Sequence, residues 1–100
     1  MLEKLKKVEE RYETVNAMLY SPGVAADREQ YTALLKELKQ LAPVVEKYRS
    51  LLGAQKEYKE AEELLAGKDL DKDFRDMVLE ELELTKQRIE TITAELKVLL

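Results

Sequence analysis

Apolar residues recur at steps of three and four along nearly the whole of this chain, and that spacing fixes its fold class. Leu2, Leu5, Val8, Tyr12, Val15 and Leu19 make one stripe of a first helix over roughly residues 2–20. Ser21-Pro22-Gly23 breaks it, because proline disfavours helical geometry in the residue before it and glycine frees the backbone. A second helix starts near Asp27, whose carboxylate can accept from a free first-turn N–H, with Gln30 three residues on as in a capping box.

The second helix carries a core stripe of Tyr31, Leu34, Leu35, Leu38, Leu41, Val45, Tyr48 and Leu52. The pattern then slips by one residue to Leu51, Ala54, Tyr58, Ala61 and Leu65, so the two halves should face different neighbours. Pro43 lies inside. It removes one helical hydrogen bond, yet the apolar phase runs through it from Leu41 to Val45. A kink or short break with restart is expected there, not a loop. Gly67 should end the helix as a left-handed C′ residue. Asp69 and Asp71 compete to cap a third helix that runs to the end, with Phe74, Val78, Leu82, Ile89, Ile92, Leu96 and Leu99 as its stripe. Met77 and Leu84 lie beside that stripe, and Thr85 is its one polar member. At 1.5 Å per residue this helix is about 45 Å long. Its short connection to the second helix requires antiparallel neighbours. The expected fold is therefore all-α: a long antiparallel hairpin, its second helix kinked near Pro43, with a shorter N-terminal helix packed near one end.

Composition agrees and removes several chemistries. One hundred residues make a single domain, 1–100, and the charged share of 38% with three Gly and two Pro suits long amphipathic helices. There is no Cys and no His, which excludes disulfides, thiol nucleophiles, ordinary zinc sites and histidine acid–base catalysis. The N-terminus lacks the apolar segment of a secretion signal, and no run approaches the ~20 apolar residues of a membrane span. A cytoplasmic protein with no membrane partner is expected. The net charge of −4 lacks the basic field of a free-standing nucleic-acid binder, so strong nucleic-acid binding is not expected.

Three groups could carry function. Glu57, Glu60, Glu62 and Glu63 with Glu80, Glu81 and Glu83 supply carboxylates on facing helices. Dimetal sites in helical bundles use a Glu-x-x-His pair, however, and many of these acids lie within reach of a lysine, as Lys56 with Glu60 and Lys59 with Glu63. They read as a solvated face, with no metal and no cofactor. Lys4, Lys7 and Arg11 form a basic ridge that Glu3, Glu9, Glu10 and Glu13 balance locally. Tyr31, Tyr48 and Tyr58 sit on the core stripe and are expected inside; Tyr20, beside the Ser-Pro-Gly turn, is the aromatic expected outside. No phosphate loop, nucleophile elbow, HExxH or EF-hand pattern occurs, so no catalytic, cofactor-binding or metal residue is assigned and the chain is not expected to be an enzyme.

The order of residues says more. Glu9-Glu10-Arg11-Tyr12-Glu13 within Leu5–Leu19, the turn Ser21-Pro22-Gly23-Val24, and Asp27-Arg28-Glu29-Gln30-Tyr31 resemble the opening of bacterial class I peptide chain release factors. The segment from Leu34 to Tyr48, Pro43 included, is similar to that family's second helix, and Phe74 to Leu82 to its third. The closing Leu96-Lys97-Val98-Leu99-Leu100 is similar to a run that in the family leads into Leu-Pro-Lys-Asp-Pro and the next domain. The resemblance covers the chain in order, and the branch it favours is the one reading UAA and UAG. The sister factor reading UGA matches less well around Tyr12 and Pro43. Neither the family's Gly-Gly-Gln loop nor its Pro-x-Thr tripeptide occurs, so no functional residue carries over.

What the resemblance implies is the N-terminal helical domain of a translation termination factor, without the codon-reading and peptide-releasing domains. In the family this domain lies near the ribosomal stalk base, by ribosomal protein L11, and is implicated in interplay with the class II release factor GTPase. The competing expectation is an independent helical coiled-coil adaptor or dimerisation module.

Overall fold

The computed structural model describes all 100 residues and contains four helices: α1 (Leu2–Met18), α2 (Pro22–Ala25), α3 (Arg28–Leu65) and α4 (Lys72–Leu99). The chain divides into two compact units, Met1–Tyr48 and Arg49–Leu100, and α3 contributes one half to each.

In the first unit, α1 buries Leu5 and Val15 and tightens at its end, with Tyr20 N–H donating to Ala17 O at 3.2 Å and Ser21 N–H to Met18 O at 3.0 Å. The break expected at Ser21-Pro22-Gly23 is itself a single helical turn. Ser21 is extended and precedes Pro22 at the first helical position, where a missing N–H costs nothing and φ is already helical. This turn folds Val24 inward, onto a cluster with Val15, Leu19 and Leu34, flanked by Met18, Leu35 and Leu38. Asp27 then opens α3 as expected, its carboxylate accepting from Gln30 N–H at 3.1 Å. Val15 beside Leu34 and Arg11 beside Glu37 show that α1 runs antiparallel to the first half of α3.

Pro43 does not interrupt α3, which remains one helix of 38 residues. The proline ring lies on an exposed face, where water can satisfy the Lys39 carbonyl that loses its donor. The slip in the seam is real, but it comes one turn earlier than the pattern suggests. Leu51 is 1% exposed and Leu52 41%, so the buried positions step Val45, Tyr48, Leu51, Ala54 in threes. Each step of three falls short of a full turn, so the buried edge rotates around the helix. The rotation occurs where one unit gives way to the other.

The second unit is the expected hairpin. The second half of α3 offers Leu51, Ala54, Tyr58, Ala61 and Leu65, alternating steps of three and four; Val78, Leu82, Thr85, Ile89, Ile92 and Leu96 do the same on α4. This is the heptad seam of a two-helix coiled coil. Arg88 Nη1 meets Glu57 Oε2 at 3.0 Å across its flank. The connection departs from expectation in one respect. Gly67 does not take the left-handed conformation; Asp69 does, at φ 62°. Aspartate is one of the few side chains that tolerate it. Asp71 caps α4, its carboxylate accepting from Phe74 N–H at 3.3 Å.

Five residues placed on the core stripes lie outside: Leu2, Leu52, Tyr31 at 39% exposed, Phe74 and Leu99. Leu52 lost its place to Leu51. The other four stand in terminal turns of their helices, where periodicity gives the correct face but not how far along it a neighbour extends.

Candidate interaction surface

No group of three or more acidic side chains is placed to hold a metal ion. No buried polar side-chain atom lacks a hydrogen-bond partner. Tyr48 is buried and Tyr58 half-buried, as expected; Tyr31 is not, and Tyr20 stands 80% exposed beside α2. Of the basic ridge, Arg11 is committed: its Nε and Nη2 donate to the two carboxylate oxygens of Glu37 at 2.7 and 2.9 Å. This two-point hydrogen bond holds the Glu37 carboxyl below its usual range and raises the Arg11 guanidinium. The acids and bases of α1 that sequence alone balances against each other are thus partly balanced across to α3.

A concave surface opens in the second unit beside the interhelical turn, with a volume of about 370 Å³. One wall is Glu57, Glu60, Ala61 and Leu64 of α3. The other is Phe74, Met77, Val78 and Glu81 of α4. Both sets fall at i, i+3, i+4 and i+7, the spacing of one helix face. Apolar side chains form the part near the turn and carboxylates the far part. Glu57 is held by Arg88, and Glu81 accepts a long 3.4 Å bond from the hydroxyl of Thr85, which is fully buried. Leu64, Phe74 and Met77 stay exposed, Met77 at 59%.

Sequence reading did not bring these residues together. The sequence pattern places Glu57, Glu60 and Glu81 among the solvated acids, Met77 only beside the stripe, and Leu64 on no stripe at all. The available signal was width. Leu64-Leu65 and Met77-Val78 double the apolar face at this end of the hairpin, leaving one member of each pair without a partner across the seam.

A family model described as the PCRF domain matches residues 8–100. The chain belongs to the PCRF domain family. It is also 39% identical over its 100 residues to peptide chain release factor 1 of Caldicellulosiruptor bescii. The corresponding proteins of Bacillus licheniformis and Bacillus subtilis are 40% and 38% identical over the same length. The whole chain is covered in each case, and it spans 28% of the length of these relatives. No solved structure matches. No helix of the chain is long and apolar enough to cross a membrane.

Proposed function

We propose that this PCRF domain serves translation termination as the N-terminal helical domain of a bacterial release factor acting at UAA and UAG. The observation that carries the reading is the unbroken match of all 100 residues to peptide chain release factor 1 at 35–40% identity. The codon-reading and peptide-releasing parts belong to the remainder of such a factor, and the domain itself catalyses nothing. Its partners are the ribosome, at the stalk base by ribosomal protein L11, and the class II release factor GTPase, in the cytoplasm. A mildly acidic helical arm suits contacts with protein better than with phosphate.

Cross-linking tests the placement. A chimera carries residues 1–100 in place of the matching segment of Bacillus subtilis peptide chain release factor 1. A photoreactive side chain replaces, in turn, the exposed Tyr20, Asp69 or Val98. On ribosomes stalled at UAA, at least one position should cross-link to ribosomal protein L11. Capture of ribosomal RNA alone, or of nothing, contradicts the stalk-base contact.

A further inference from the structure

We infer that the concave surface between Leu64 and Met77 is a docking groove for a basic amphipathic helix of another protein. The shape is the first argument. Two antiparallel helices each present an i, i+3, i+4, i+7 face to it, and an edge built this way is the vacancy that a third helix fills in a bundle. Seven residues of helix rise about 10 Å, so the groove accepts two turns of an occupant carrying one or two apolar anchors.

Charge decides what kind of occupant. Between Glu57 and Glu81 the chain has ten acidic and four basic side chains, a net −6 against −4 for the whole molecule. The rest of the chain is therefore slightly positive, and the negative field is concentrated at the end of the hairpin that holds the groove. Glu57, Glu60 and Glu81 stand on its walls beside Leu64, Phe74 and Met77. A second copy would bring the same acids against each other, and nucleic acid would be repelled. A helix with leucine- or methionine-like anchors flanked by lysine or arginine meets both the apolar floor and the acidic walls. The inference does not depend on the release factor reading, because the groove and its charge belong to this chain alone.

The test is a titration of the ¹⁵N-labelled 100-residue chain with an 18-residue peptide of Leu and Lys whose leucines share one helical face. A twin peptide with every Lys replaced by Glu is the control. The Lys peptide should shift amide resonances of residues 57–64 and 74–81, and the twin should leave them in place. Met77→Asp changes a side chain that is mostly in solvent, so the fold should persist by circular dichroism while affinity falls about tenfold or more. Leu64→Gln repeats the test from the α3 wall. Glu60→Lys should weaken binding and flatten its salt dependence. Equal binding of the two peptides, shifts confined to α1, or unaltered affinity in Met77→Asp would each overturn the inference. So would a dimer, seen by sedimentation, that Met77→Asp abolishes, since the occupant would then be a second copy.

Discussion

Thr85 shows how much one atom matters in this core. It occupies a heptad position with no exposure, and its hydroxyl reaches only a long bond to Glu81, which remains accessible to water. Burying a hydroxyl is unfavourable unless the bond it makes is good. Thr85→Val leaves no buried acceptor stranded, so it should stabilise the chain by up to about 1 kcal/mol, read as a higher urea midpoint at unchanged slope. Leu51→Ala and Leu96→Ala empty fully buried sites and should cost about 2–5 kcal/mol each in the same experiment. Arg11 and Glu37 differ, since both are substantially exposed and their pair is screened by salt. Glu37 has a lowered folded pKa, so its contribution is complete above the unfolded carboxyl pKa and is lost as pH falls through the folded value. A double-mutant cycle on the pair should show coupling at pH 7 that shrinks with salt and vanishes in strong acid. Coupling that persists at pH 2 would contradict the pairing.

At the scale of elements, most boundaries were legible because each is set by one or two residues. Asp27 caps where its spacing to an amphipathic run predicted, Asp71 is the one of two competing aspartates that caps α4, and Pro22 stands where a helix can begin. Helix-ending chemistry was harder. Gly67 was the obvious left-handed residue, but a Cβ there would lie 3.1 Å from the Leu64 carbonyl, so its smallness serves close approach instead. The left-handed position passed to Asp69, a choice that depends on the geometry of the whole turn. Asp69→Gly should therefore stabilise by about 1 kcal/mol, and Asp71→Ala should destabilise by about as much. Pro43 can be tested in the same way. Its ring removes one hydrogen bond inside a continuous helix, a penalty near 3 kcal/mol that its stiffening of the unfolded chain offsets only in part. Pro43→Ala should raise both stability, by about 1–2 kcal/mol, and helical ellipticity. A loss of stability would mean that the proline is needed for the packing on either side of it.

For the whole molecule, sequence gave the fold class and the family through the order of its parts: helix, Ser-Pro-Gly turn, proline-bearing helix, hairpin. It did not give the groove. That surface arises from two doubled apolar positions thirteen residues apart, Leu64 and Met77, whose meeting depends on the interhelical turn and the register it sets. Carboxylates that read as generic solvated faces become groove walls only once they stand around that apolar floor. The proposed role in termination is most directly tested through factor turnover. The chimera described above, the parental Bacillus subtilis factor and a form lacking the segment are compared for peptide release from UAA-stalled ribosomes, at limiting factor with the class II GTPase and GTP. The chimera should turn over like the parent and faster than the deleted form, with the three alike when factor is in excess. A chimera no better than the deletion in turnover, though folded and active in a single round, would contradict it.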